Sequence, residues 1–529
     1  MNRPQPPAIF QANLGLVAAI VIGLLLATVL GFTVGASEII PIALMSASAV
    51  IVLFVAGLYR YIWQIALFLL FFFFSYRPTS FSFGPLEISC ALGAGVIALF
   101  IWQKSPRELP AILTEGSFIF LRRALFIWLL YVALHMVYNI VLPYRPSEFS
   151  LNNSIKSYFA VSAPFLLLFY FGRSPRGLVV RKDFYWTISR LCFLGLLINL
   201  GVRFYQLVGG GTAYIPIIKA TSDVYALRTL GPLSMMLGTI GITAPAGRKT
   251  LIRYVTYWLL LLLGAAGCSV SAGRITLLIG FLMVCAVLVI RRKVGALFLV
   301  VIVGILGAAI ANLSADWINS QADPFVQRSL QWILIHKKGS EALTTIEGSS
   351  NWRRELFNRA TDEWRSDPRI FWTGRATYGF GVADETALLI SGGYEAIMDS
   401  ALRRGTTHNL ISDLLLIYGV IGLVLYLAVY TSIILFLWKL YRMRSLSPPA
   451  ANLTLACLVG SLSWFVYSVV GGNFYSIEYV WFLIVLIGAL YSGAGIEERA
   501  AATRLPFRSS SAPTQIPNSR RRLVRAIGE

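Results

Sequence analysis

Residues 403–427 read RRGTTHNLISDLLLIYGVIGLVLYL, an apolar run long enough to cross a bilayer, opened by two arginines, two threonines, a histidine and an asparagine. The chain holds only three histidines, and His408 stands at the mouth of a helix. An imidazole titrates near neutrality, so at pH 7 it is largely uncharged and able to take a proton. Asn409 and Asp413 are four apart and share a helix face, and Ser412 is four from His408. An acidic side chain one turn into a span, as Asp413 would be, is expected to face protein or a water-filled cavity. Gly419 and Gly422 suit close helix packing better than chemistry.

The other side chains able to do chemistry are arginines. Arg274 ends the SAGR turn of CSVSAGRITLLIGF (268–281), a very short connection between two apolar runs. Arg353 and Arg354 open the stretch NWRRELFNRATDEWRSDP (351–368), and Arg403 and Arg404 immediately precede His408. Taken singly, each has a plain explanation: interfacial water satisfies a histidine at a helix start, and an arginine in a short turn snorkels to headgroups. The combination says more. Guanidinium groups match phosphate oxygens in two-pronged fashion, and arginines nearby disfavour the charged form of an imidazole. An anion clamp beside a base is the equipment for group transfer from a phosphate-linked donor, and which donor depends on the side of the membrane.

Composition puts these residues in lipid. Of 529 residues 57% are hydrophobic and 13% charged, with a mean hydropathy of +0.71; a soluble chain carries about a quarter charged residues. At ~20 apolar residues per span, fourteen candidate runs lie near 13–34, 38–58, 61–75, 85–102, 124–142, 157–172, 184–206, 229–245, 253–270, 275–290, 294–313, 411–438, 453–470 and 476–493. Several are short or closely joined, so twelve to fourteen spans are expected. No stretch alternates like a barrel strand. The fold class is an all-α polytopic membrane protein.

The net charge of +21 invites a nucleic-acid reading, which the positions of the charges refute. With the N-terminus inside, the cytoplasmic turns hold Arg60; Lys104, Arg107, Arg122 and Arg123; Arg173, Arg176, Arg181 and Lys182; Arg248, Lys249 and Arg253; Arg291, Arg292 and Lys293; and Lys439, Arg442 and Arg444. The alternate short loops are poor in Lys and Arg, which is the positive-inside bias. The first run, from Leu14, is longer than a usual signal-peptide core and is read as an uncleaved helix. Cys90, Cys192, Cys268, Cys285 and Cys457 all fall within candidate spans and read as small core residues, with no disulfide or metal-ligand spacing.

Four regions follow: a transmembrane domain of about eleven helices over 1–313, a loop domain over 314–407, about three further helices over 408–494, and a basic tail over 495–529. The loop domain holds eleven Lys or Arg against twelve Asp or Glu and no spanning run, and by the alternation it lies outside the cytoplasm. Within it Trp352, Leu356, Ala360 and Trp364 recur at helical spacing with Phe357 beside them. That predicts an amphipathic helix over 351–368, with Asn351 as N-cap and Asp367-Pro368 as stop, lying on the membrane domain or the lipid surface. The tail is rich in Ser, Pro and Arg and reads as disordered, cytoplasmic and near anionic headgroups. No internal repeat is visible, which counts against an inverted-repeat transporter.

Nucleotide donors are scarce outside the cytoplasm, so a donor there must bring its own leaving group, as a lipid-linked diphosphate does. Three pieces of sequence then resemble the O-antigen ligase and polysaccharide polymerase superfamily of bacterial inner membranes. They are HNLISDLLLIYGVIG, with His408-Asn409 ahead of Gly419 and Gly422; the SAGR turn ending at Arg274; and RRELFNRA followed by DPRIFWTG. Together they cover roughly residues 230–440. The chain departs from the family where Gly374 is followed by Arg375 and Ala376 instead of a Gly-x-Gly, and where Ser412 takes a usually apolar position.

The resemblance implies a multi-span, GT-C-like glycosyltransferase of the inner membrane, with a periplasmic loop, both termini cytoplasmic, and no metal or other cofactor. By position it implies that Arg274 and Arg353 bind the diphosphate and that His408 assists the acceptor hydroxyl. Arg354, Arg403, Arg404, Asn409 and Asp413 are the expected contributors to diphosphate or acceptor binding. The expected partners are a polyprenyl-diphosphate-linked glycan donor, a glycan or lipid A-core acceptor, membrane lipids, and a chain-length regulator or export machinery; nucleic acid is not among them. Polymerase and ligase stay open, and the rival from another class is a flippase or transporter of the same lipid-linked sugars.

Overall fold

An apolar run in lipid has no water to satisfy its backbone, so it closes its own hydrogen bonds as a helix, and among the described residues eight of the candidate runs do so. The computed structural model describes residues 116–141, 184–209, 226–244, 250–321 apart from 272 and 274, 324–330, 333–334, 341–375, 401–402, 407, 409–442 and 448–470, with shorter pieces at 77–78, 214–215, 220–221, 398 and within 158–169. The candidate spans at 13–34, 38–58, 61–75, 85–102 and 476–493, and the tail, lie outside the described residues.

The membrane helices are α1 (Gly116–Val141), α2 (Phe184–Gly209), α3 (Ala226–Thr243), α4 (Leu251–Ser269), α5 (Thr276–Ile290) and α6 (Val294–Leu313). The loop domain contributes α7 (Ala315–Gln321), α8 (Pro324–Leu330), α9 (Glu341–Ser366) and α10 (Pro368–Thr373); α11 (Leu410–Arg442) and α12 (Pro448–Val470) follow. Six of these, α1, α2, α4, α6, α11 and α12, are long and apolar enough to cross a membrane, as a multi-pass membrane protein requires. The expected span at 229–245 is α3, which is enclosed by protein: residues 230–241 are all buried. It approaches α4 backbone to backbone, where a Cβ on Gly231 would stand 3.1 Å from the Gly264 carbonyl oxygen. At the other extreme α6 buries no residue, as lipid-facing helices do.

Several polar groups inside the spans are satisfied locally. Ser189, Thr239, Ser269 and Thr454 each donate to the carbonyl four residues back. Cys192, Cys268 and Cys457 are buried and unbridged, as small core residues should be. The main core joins α1 to α11 through Trp128, whose ring meets Tyr418 at 5.3 Å and Tyr426 at 5.5 Å edge-on.

Beside the helices, three two-residue strands pair antiparallel in the order β1 (Arg77–Pro78), β3 (Ala220–Thr221), β2 (Tyr214–Ile215), with Thr221 opposite both Arg77 and Tyr214. This patch joins the 207–228 loop to the chain near 77, two connections that the charge alternation puts on one side.

Two boundaries differ from expectation. The loop helix begins at Glu341, not at Asn351: Glu341, Ala342 and Leu343 are good helix formers and no proline follows before Asn351, so the poorer Thr and Ser residues and Gly348 are carried within the helix; Asn351 is an exposed residue inside it. Its end is as expected: α9 stops at Ser366, and Asp367 caps the next helix by accepting from Arg369 N–H, with Pro368 in the first turn. The run 411–438 is two helices joined at Gly419, whose φ of 64° and ψ of −170° break the ladder. The 23 residues from 420 to 442 are ~34 Å long at 1.5 Å per residue, enough to span the ~30 Å hydrocarbon core alone. Leu410–Tyr418 is therefore a separate half-helix at one end of the crossing.

Candidate functional site

Asn409 begins the half-helix. Its Oδ1 accepts from Ile411 N–H at 2.9 Å and Ser412 N–H at 3.3 Å, an N-cap. Its Nδ2 donates to the Val469 carbonyl at 2.9 Å, tying the half-helix to the end of α12. Asp413 is fully buried, and its Oδ1 accepts from Thr407 N–H at 2.6 Å and the Thr407 hydroxyl at 2.7 Å. Ser412 hydrogen-bonds the same hydroxyl, which gives this polar residue a buried partner. His408 lies outside the described residues, but the neighbour on each side of it is held by these bonds. Asn409 and Asp413, two of the expected binding residues, are thus hydrogen-bonded within the protein, to Ile411, Ser412 and Val469 and to Thr407 respectively.

The turn before α5 is held as tightly. Ser271 Oγ donates to the Cys268 carbonyl at 2.8 Å and accepts from Gly273 N–H at 3.3 Å, and Thr276 N–H donates to the Gly273 carbonyl at 3.2 Å. Arg228 at the start of α3 donates from Nε to the Ser271 carbonyl at 3.1 Å. Arg274 lies outside the described residues, between Gly273 and Ile275. Arg203 is a buried arginine near the end of α2. α2 runs antiparallel to α3, with Tyr185 hydroxyl on the Leu237 carbonyl and Cys192 Sγ against Ser234 Oγ, so Arg203 lies toward the end of α2 that is on the side where α3 begins.

Two contacts bring the turn and the half-helix to one end of the bundle. Arg291, just past α5, hydrogen-bonds Asn452 near the start of α12, so these helices run antiparallel and the end of α12 lies beside the start of α5. Asn409 reaches that same end through Val469. The flanks of Arg274 and of His408 therefore share an end of the molecule, 134 positions apart in sequence.

The loop helix α9 lies on the same half-helix. Leu356 and Ala360 are buried, with Trp352 packed beside them, against Leu416, Met398 and Leu402. The expected apolar face thus docks on the membrane domain, while Trp364 stacks on Phe371 of α10 at 4.7 Å. Arg353 is half-buried on the flank of this face and Arg354 points to solvent, which separates two arginines that the sequence left equivalent. Arg403 and Arg404 lie outside the described residues.

Sequence reasoning passed over His135. It is buried in α1, with Nδ1 2.9 Å from the Tyr158 hydroxyl, a hydrogen bond to the Thr373 backbone and the Tyr418 ring at 5.2 Å. The signal was present, because an ionisable residue inside a span is a site hypothesis by default. Among the described residues no three His, Cys, Asp or Glu side chains gather where they could hold a metal ion. Compared with models of known protein families and with curated proteins, the chain matches none.

Proposed function

We propose that the protein is a membrane glycosyltransferase that moves a polyprenyl-diphosphate-linked oligosaccharide onto a sugar hydroxyl at the periplasmic face of the inner membrane, in surface-polysaccharide synthesis. The observation that carries the reading is the convergence just described. The flanks of Arg274, the flanks of His408 and the helix bearing Arg353 meet at one end of the bundle, where a membrane-embedded donor and a polymeric acceptor can meet. In the reaction the acceptor oxygen bonds to the anomeric carbon as the bond from that carbon to the diphosphate oxygen breaks. The diphosphate leaves with the electron pair, its charge stabilised by Arg274 and Arg353, and the acceptor proton passes to His408 as general base. Arg403 and Arg404 add positive charge beside the donor, and Asn409 and Asp413 hold the backbone that carries His408.

The flippase reading has one observation in its favour, the broken helix α11, since transporters build their sites on discontinuous helices. At this break, however, the freed carbonyls of Leu416 and Tyr418 are met by protein donors, Arg375 N–H and the Tyr131 hydroxyl, and not left to face a substrate path. The two readings separate in one experiment. Purified protein in nanodiscs is given lipid-linked donor and a glycan acceptor with no other protein. Glycan transfer supports the enzyme; donor translocation without transfer in the matching liposome assay rejects it.

A further inference from the structure

The break in α11 is filled by the backbone of the loop domain. Gly374, at the end of α10, and Gly419 both have positive φ, 76° and 64°, and they stand against one another's chain. A Cβ on Gly374 would lie 2.1 Å from the Ile417 carbonyl oxygen, and one on Gly419 would lie 2.3 Å from the Trp372 carbonyl oxygen and 2.6 Å from Gly374 N. Neither position admits a side chain, and both need the left-handed conformation. The carbonyls that the break releases are taken up at the same place. Leu416 accepts from Arg375 N–H at 3.0 Å, and Tyr418 accepts at 2.6 Å from the Tyr131 hydroxyl, which also lies 3.3 Å from the Thr373 carbonyl. His135 lies in the same cluster, its Nδ1 2.9 Å from the Tyr158 hydroxyl and its ring 5.2 Å from that of Tyr418, and the Arg369 guanidinium sits 5.3 Å over the Tyr138 ring.

From this contact the connection runs directly to α9. Trp364 Nε1 donates to the Phe371 carbonyl at 3.1 Å, and the Arg375 guanidinium bridges Glu363 and the Leu402 carbonyl. We propose that the Gly374–Gly419 contact, clamped by Tyr131, is a positioning device that locks α9, and Arg353 with it, against the half-helix Leu410–Tyr418. The loop domain is then a fixed wall of the site. The proposal rests on the transferase reading only for the role of Arg353; the clasp itself is structural and separately testable.

The test uses the full chain in native membranes with cysteine introduced at Ala360, on the face of α9 against α11, in a background free of other cysteines. The measured quantity is the rate of labelling by an impermeant maleimide. With the clasp intact, the thiol is protected. Gly374→Ala and Gly419→Ala, which push the two backbones apart, should each raise the rate by about tenfold or more, as expected where local opening governs access. Tyr131→Phe, which removes one hydroxyl and leaves the ring, should raise it by a smaller factor and serves if the glycine variants do not accumulate. Unchanged protection in variants that insert normally overturns the clasp. Positioning is read from a double-mutant cycle on transfer. If Gly419→Ala acts through Arg353, combining it with Arg353→Lys should cost little more than either alone; full multiplication of the two losses overturns the positioning role. A chain that shows no transfer at all, with labelling that still responds to Gly419→Ala, rejects the transferase and keeps the clasp.

Discussion

At Asn409 one amide does two jobs: its oxygen caps the half-helix and its nitrogen reaches Val469. With Asp413 gripping Thr407 from inside the protein, the residues on both sides of His408 are fixed, as a base must be if it is to meet an acceptor hydroxyl at hydrogen-bond range. His408→Ala should leave insertion and abundance nearly unchanged while transfer falls by ~10²–10⁴-fold, the usual contribution of a general base. The comparison residue is His336, and His336→Ala should transfer normally; equal activity in both variants would remove His408 from the mechanism. The arginines of α9 make a sharper contrast. Arg353→Lys keeps the charge and loses the planar fork, and a hydrogen bond to a charged group is worth about 1.5–3 kcal/mol, so donor turnover should drop about tenfold or more. Arg354 points to solvent, and Arg354→Ala should change turnover little.

At the scale of elements, α9 is an amphipathic helix whose apolar face covers protein, and Leu356 is its most enclosed contact, with no exposed surface. Leu356→Ala leaves a cavity against Leu416, Met398 and Leu402, a change that costs roughly 2–5 kcal/mol in a packed core. Thermal unfolding of the detergent-solubilised protein should show a lowered Tm for Leu356→Ala. Phe357, 43% exposed on the same helix, should tolerate alanine with little shift. Equal shifts for the two would mean that the face does not dock as described.

For the whole molecule, three long-range ties among the described residues join ends that the Lys and Arg alternation assigns to one side. Asn409 bonds to Val469, Arg228 to Ser271, and Arg291 to Asn452 on the opposite, basic side. The contacts agree with the alternation and do not say which compartment each side faces. Arg-rich turns stay in the cytoplasm, so cysteines placed at the exposed positions Arg354 and Asn358 should react with an impermeant thiol reagent in intact spheroplasts. A cysteine in the 246–249 turn should react only after lysis. The reverse pattern would invert the protein and remove the periplasmic transferase reading with it.

The positions of the described membrane helices, the apolar face of α9 and its stop at Asp367-Pro368 were legible in the sequence, because hydropathy and turn chemistry act over a few residues. Arg274, Arg353 and His408 were singled out the same way, by residue type at a helix end. The early start of α9 was missed because nothing local forbids helix in EALTTIEGSS, and the choice between Arg353 and Arg354 was open because period alone does not show which flank a partner covers. Gly419 read as a packing residue. That it breaks a helix depends on Gly374, 45 positions away, whose backbone supplies what the break removes. His135 likewise gained its meaning from Tyr158 and Thr373. Those pairings exist only once distant segments meet in low dielectric, where each buried polar group must find a partner, and only the tertiary structure decided which partner that is.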